Sequence, residues 1–247
     1  MSGRLLLASN SLSAPPALSP DVGMIVSIGQ SNELSIAVQE PQVAVFSQVP
    51  FWLNQGAGVV DYSGPHLLGP SPSGPSGWEI AAGQYLWGQG KRVGIVKLAK
   101  GDSFMNQMTP GGAIFDSWTV TLNRVISQLE QTFPGMSNVT WFGGVNQGEE
   151  EVRNPSESPS INWGDNFDLV KDGIEAITEQ PMLWQCVLTS NVAGALWLAT
   201  LNATQTTHSD AQIPTNDAVY QTDNVHFTYG YQSILGQRRG EAYEEWL

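Results

Sequence analysis

The ten residues Gly23 to Asn32, Gly-Met-Ile-Val-Ser-Ile-Gly-Gln-Ser-Asn, constrain this chain more than any other stretch. Met24, Ile25, Val26 and Ile28 form an almost continuous apolar run, the pattern of a strand covered on both faces in a parallel sheet. Gly29 lets the backbone turn without a Cβ penalty, and Ser31 follows two residues later at the carboxyl end of that strand. Open α/β sheets place their chemistry at this edge. A serine held there presents its hydroxyl outward, with Asn32 and nearby backbone amides as donors, which makes Ser31 a candidate nucleophile. The same residues also read as a strand ending in an ordinary Gly/Ser/Asn turn, so the case depends on what the rest of the chain supplies.

The rest of the chain supplies alternation. Strands are predicted at 42–46, 93–98, 138–143 and 182–188, the first of them possible as an edge strand. Helices are predicted at 78–87, with Ile80, Ala81, Tyr85 and Trp87 inward, and at 119–132, stopped by Pro134. Phe167, Val170, Ile174 and Ile177 mark another helix, a weaker pattern covers 193–203, and Tyr231, Ile234, Leu235, Ala242 and Trp246 mark a terminal one. The Gly- and Pro-rich region through Gly64-Pro65-His66 to Gly77 cannot sustain a helix or a central strand and is expected as a long surface loop. Residues 152–165 read as a polar loop, and 204–224 as polar and irregular. Strands alternating with helices indicate a mostly parallel sheet covered on both sides.

A chain of 247 residues suits one sizeable domain, expected over 23–247, with the Ser-, Pro-, Ala- and Leu-rich residues 1–22 as an arm or linker. A net charge of −13 with only ten Lys plus Arg argues against nucleic acid and anionic membrane surfaces as partners, and favours a neutral or polar ligand. The single cysteine, Cys186, cannot form an internal disulfide and reads as a small buried hydrophobe. The apolar run in Met-Ser-Gly-Arg-Leu-Leu-Leu-Ala is too short for a signal-peptide core, and no window approaches a membrane span. The many Asn, Gln, Ser, Thr and Gly residues and few Lys resemble secreted or virion-surface proteins.

Acyl transfer by a serine needs a base, a group that orients the base, and donors aimed at the developing oxyanion. Three histidines exist to serve as base: His66, His208 and His226. His226 is favoured because Asp223 precedes it by three residues, just before a helix, a spacing at which a short loop lets the carboxylate fix the imidazole. His208 has Asp210 nearby but sits in a polar stretch with no anchor, and His66 lies in the expected loop. Read alone, Asp-x-x-His is equally a solvated turn.

Gly29-Gln30-Ser31-Asn32, a glycine turn at Gly101, Gln147-Gly148-Glu149, and Asp223-Asn224-Val225-His226-Phe227 before a helix containing Gly236 occur in the order seen in SGNH hydrolases. The set, spread over residues 24–246, resembles most closely the sialate O-acetylesterase and carbohydrate esterase family 6 branch. This resemblance implies a flavodoxin-like three-layer α/β/α fold and hydrolysis of acetyl esters on sugars without a cofactor. It assigns Ser31 as nucleophile, His226 as general base and Asp223 as its orienting carboxylate. The oxyanion hole would combine the Ser31 and Gly101 amides with a side-chain amide, Gln147 or alternatively Asn146. Glu149 would support its loop.

Three departures stand out. Asp102 replaces the second glycine of the Gly101 turn, Glu151 replaces an aspartate two positions after Glu149, and Asn146 stands where an aromatic or histidine is usual. The run Glu149-Glu150-Glu151 has no histidine at ligand spacing, so no metal site is expected. Trp78, Trp118 or Trp163 is a candidate platform for a sugar face. Two other classes stay open: a non-catalytic carbohydrate-binding or adhesion module on the same fold, as in a phage tail or cell-surface assembly, and an SGNH lipase or thioesterase.

Overall fold

The computed structural model describes residues 19–29, 49–54, 62–67, 77–189, 195–215, 217–219 and 227–247. Its strands are β1 (Val22–Gly29), β2 (Pro50–Asn54), β3 (Tyr62–Leu67), β4 (Arg92–Ala99), β5 (Val139–Asn146), β6 (Leu183–Val187) and β7 (Ala211–Ile213). They form one seven-stranded sheet in the order β3-β2-β4-β1-β5-β6-β7. Six strands are parallel, and only the edge strand β3 runs antiparallel, against β2. With the β2–β3 pair set aside, β1, β4, β5, β6 and β7 have the flavodoxin order 2-1-3-4-5, so the switch point lies between β1 and β5.

Period-two alternation along β1 explains the three layers. Met24, Val26 and Ile28 enter one apolar cluster, and Ile25 enters the other. The first cluster is closed by α2 (Ala113–Thr132) and α5 (Trp163–Thr178). Their buried residues, Phe115, Trp118, Leu122, Val125 and Leu129 on α2 and Phe167, Val170 and Ile174 on α5, repeat every three or four positions. The second cluster is closed by α1 (Trp78–Gly88) and α7 (Tyr229–Glu244) through Trp78, Ala82, Leu86, Tyr231, Leu235 and Tyr243. Each such side chain, fully buried, contributes roughly 1.5–3 kcal/mol.

Two adjacent glycines in the middle of β5 fit one large side chain on each face. A Cβ on Gly143 would lie 2.1 Å from the Trp184 ring, and one on Gly144 would lie 2.1 Å from Nη1 of Arg239. Arg239 is fully buried, stacks over Trp78 at 3.6 Å and donates through Nη2 to the Val145 carbonyl at 2.9 Å.

Several expectations need correction. Pro50–Asn54 is a buried strand that the sequence reading left unassigned, because five residues between Pro50 and a Gly-rich stretch carry no legible period. Tyr62–Leu67 is a strand and not loop, and it holds Gly64 and Pro65 because it lies at the sheet edge, where a missing N–H leaves no ladder bond broken. The buried residues of α1 are Trp78, Glu79, Ala82, Gly83 and Leu86, while Ile80, Tyr85 and Trp87 are only partly buried. The expected loop at 152–165 holds the end of α3 (Glu149–Arg153), all of α4 (Ser158–Ile161) and the start of α5, and α6 (Leu198–His208) lies further along than 193–203. The three-residue β7 was too short to read. The expected strand at 42–46 and residues 1–18 of the expected arm lie outside the described residues. Cys186 is buried, and burial pushes its thiol up to about 12. Among the described residues, no helix is long and apolar enough to cross a membrane.

Candidate active site

Strand register brings three turns to one level. Gly29 at the end of β1 pairs with Ala99 at the end of β4 and with Asn146 at the end of β5. The amide of Lys100 donates to the Gly29 carbonyl at 2.9 Å, so the Gly101 turn starts beside the point from which the chain leaves toward Ser31. The first turn of α7 lies at the same edge. Arg239 bonds to Val145, the Tyr243 hydroxyl donates to the Gly143 carbonyl at 3.1 Å, and Leu247 lies against Gly23 at the start of β1. Helix α7 therefore runs antiparallel to the strands, with its first turn at their carboxyl ends. Thr228 caps that turn, its hydroxyl accepting from the Tyr231 amide at 3.3 Å, and its own amide donates to the Val219 carbonyl at 2.9 Å. Ser31, Asp223 and His226 lie outside the described residues. Their described neighbours, Gly29 and Phe227, are thus both on elements that end or begin at this edge.

The two candidate oxyanion amides differ sharply. Gln147 is buried with both ends of its side chain engaged: Nε2 donates to the Ser103 carbonyl at 3.0 Å and to both Glu151 oxygens at 2.8 Å, while Oε1 accepts from the Trp163 indole at 2.5 Å. Asn146 is only 4% exposed, and its Nδ2 has no hydrogen-bond partner among the described residues. A buried donor without an acceptor is costly, by about 1–3 kcal/mol. Asn146 shares this state with other buried atoms among the described residues, Trp118 Nε1 and Gln185 Nε2 for example, and differs from them in lying at the carboxyl end of β5.

Four residues support this corner: Glu151 and Gly148, which the sequence marked as motif positions without this role, Trp163, which it marked as a sugar platform, and Gln205, which it did not single out. Glu151 accepts from the Met105 amide at 2.7 Å as well as from Gln147. Gln205, fully buried on α6, donates to the Gln147 carbonyl at 2.8 Å and accepts from the Thr189 amide at 3.2 Å. Gly148 has φ 143°, and a Cβ there would lie 2.5 Å from Leu201 and 2.8 Å from Thr189, so the turn accepts only glycine. Trp163 is the fourth. Gln205 is the one of the four with no motif to mark it, since a single polar residue in a polar stretch carries no signal. Trp78, Trp118 and Trp163 are all fully buried, which removes them as sugar platforms.

Asp102 takes φ 52°, the left-handed conformation that a glycine adopts freely and an aspartate tolerates. Asp102 therefore makes a left-handed turn directly after Gly101. The three consecutive glutamates have separate environments: Glu149 is buried in the first turn of α3, Glu150 lies 3.9 Å from Arg153, and Glu151 faces Gln147. Among the described residues, no cluster of His, Cys, Asp or Glu could hold a metal. His66 pairs with Phe51 in β3, three strands from β1 and so about 14 Å away across the sheet. His208 bonds through Nδ1 to Asp168 at 2.6 Å and not to Asp210, which accepts from the Trp184 amide at 2.7 Å. Lys171 donates to Asp168 and to the His208 carbonyl, so this histidine fastens α6 to α5.

Burial pushes the Glu151 carboxyl up to about 7 from 4.5, against the bonds from Met105 and Gln147. The folded chain then holds a proton that the unfolded chain releases over that window. The stability this group confers is complete below about pH 4.5 and falls by about 3 kcal/mol as pH rises through 7. Urea denaturation at a series of pH values checks this: Glu151→Gln, which has no proton to lose, is expected to flatten that part of the profile.

No family model matches the sequence, and no curated protein sequence does. Solved structures do match. A protein from Arabidopsis thaliana is 16% identical with a TM-score of 0.61, the match covering 90% of this chain and 98% of that one. A carbohydrate acetylesterase from Sinorhizobium meliloti is 12% identical with a TM-score of 0.52, covering 91% and 99%. An aryl esterase from M. smegmatis is 12% identical with a TM-score of 0.52, covering 91% and 100%. Together with the strand order, these likenesses show that the chain has the three-layer α/β/α fold of the SGNH hydrolases.

Proposed function

We propose that this chain is a serine esterase that removes O-acetyl groups from a carbohydrate. The Ser31 oxygen attacks the acetyl carbonyl while His226, oriented by Asp223, takes its proton. The tetrahedral intermediate then collapses: the ester C–O bond breaks and the sugar hydroxyl leaves with that proton. Water attacks the acyl-enzyme by the same route in reverse and acetate departs. The Ser31 and Gly101 amides, with the Asn146 side chain, stabilise the oxyanion.

The observation that carries this reading is the buried Asn146 side-chain amide at the end of β5, level with Gly29 and with no acceptor among the described residues, which supplies a donor for the oxyanion of this mechanism. The carbohydrate acetylesterase and aryl esterase among the similar structures support the acyl-transfer class. The test is labelling by a fluorophosphonate together with hydrolysis of p-nitrophenyl acetate. A nucleophilic Ser31 reacts with the probe at that residue, whereas a binding module does not.

Asn146→Ala is expected to lower kcat about 10²- to 10³-fold with KM little changed. Gln147→Ala should instead act on stability, because it strips partners from the buried Trp163 indole and from Glu151, at about 1–3 kcal/mol for each group left unpaired. Steady-state kinetics and urea denaturation of the two variants separate these roles, and an Asn146→Ala enzyme at full rate would return the oxyanion role to Gln147.

A further inference from the structure

Beside this corner lies a groove of about 270 Å³, bounded by the 3₁₀ turn Met105–Met108, the end of α3 and the starts of α4 and α5. All of these segments follow β4 or β5 and so lie near the carboxyl edge. Glu151 forms part of the wall, and its bonds to Gln147 put the groove one side chain away from the residue after Asn146.

The remaining wall is unusually amide-rich. Asn106, Asn154, Asn162 and Asn166 all line it. Their protein bonds leave a mixed set facing outward. Among the described residues, Asn106 has no side-chain partner, and Asn154 engages only Oδ1, with the Ser156 amide. Asn162 engages only Nδ2, with Ser158, and Asn166 only Nδ2, with the Asn162 carbonyl. Donors of Asn106 and Asn154 and acceptors of Asn106, Asn162 and Asn166 are therefore available. Phe104 and Pro159 add an apolar patch. Vicinal hydroxyls, each both donor and acceptor, on a ring with one C–H face match this combination. No Lys or Arg lines the groove, while Glu151 does, and the chain carries a net charge of −13. An anionic sugar would meet no counter-charge and one carboxyl group.

We propose that this asparagine-lined groove is the subsite for the sugar ring of the substrate, and that it selects neutral acetylated saccharides over carboxylate-bearing ones such as O-acetylated sialic acid. The inference rests on the esterase reading above and gives it a substrate class.

The test compares hydrolysis of acetylated xylo-oligosaccharides, O-acetylated sialic acid and p-nitrophenyl acetate by the wild type, Asn106→Ala, and Asn106→Ala/Asn162→Ala. Asn106 is exposed and without a side-chain partner, so its truncation leaves the fold intact. The wild type is expected to favour the neutral oligosaccharide. The double variant is expected to lose about tenfold or more in kcat/KM on it, from hydrogen bonds no longer made, while p-nitrophenyl acetate turnover stays within about twofold. Equal losses on both substrates, no loss on either, or a preference for the sialic acid overturns the subsite. Absence of p-nitrophenyl acetate hydrolysis in the wild type refutes the esterase reading instead. In that case calorimetric titration with xylo-oligosaccharide decides the groove: binding weakened in the double variant supports it, and equal or absent binding overturns it.

Discussion

Replacing Ser31 by alanine is expected to lower kcat on p-nitrophenyl acetate by about 10⁴- to 10⁶-fold, and His226→Ala by a similar factor. The two groups act in one proton transfer, so the double variant should be no slower than either single one. That non-additivity separates a shared mechanism from two independent injuries. The residual rate over water would come from the Gly101 and Asn146 donors and from substrate binding, neither of which the substitutions touch. Asp223→Asn is expected to lose about 10⁴-fold by holding the imidazole in the wrong tautomer. Circular dichroism and Tm keep the comparison honest, because a variant that lost its fold would lose activity for another reason. Losses that multiply in the double variant, or a Ser31→Ala protein that keeps its rate, would refute this assignment. The result bears on residues nearly two hundred positions apart, whose flanking Gly29 and Phe227 both stand at the carboxyl edge of the sheet.

Strands β1, β4 and β5 were legible because each is buried on both faces, and an unbroken apolar run of such length has few other uses. Their register was implicit in the same residues, since three parallel central strands ending in turns share one edge. Strand β3 was unreadable because its sequence, Tyr-Ser-Gly-Pro-His-Leu, is tolerated only at an edge, and edge position is a property of the whole sheet. The choice between Asn146 and Gln147 was likewise out of reach. Both amides follow the same strand, and only the arrival of Glu151, Ser103 and Trp163 around Gln147 engages one and leaves the other. The family pattern favoured Gln147, whose side chain the structure finds engaged at both ends. The misread inward face of α1 has a similar cause. This helix buries Glu79, which a hydrophobic pattern counts as solvent-facing, because Lys97 on β4 meets it inside.

That pair sets the second large effect. Lys97 and Glu79 lie 2.7 Å apart, with side chains 2% and 0% exposed, and among the described residues Glu79 Oε2 has no hydrogen-bond partner. The pair sits in a polar row across the sheet, where Ser27 pairs with Lys97 on one side and with Gly144 on the other, and Gly144 pairs with Gln185. Lys97→Met is expected to destabilise the chain by about 3–5 kcal/mol at neutral pH, because it leaves a carboxylate in the core without its cation. Lys97→Met/Glu79→Leu is expected to recover most of the loss, since removing both charges leaves no isolated ion at this position. Urea denaturation of the three proteins checks both expectations. A double variant as unstable as Lys97→Met alone would mean that Lys97 acts through its other neighbours and not through Glu79. The site is expected to feel the same change, because Lys97 lies two residues before Ala99, where the Gly101 turn begins.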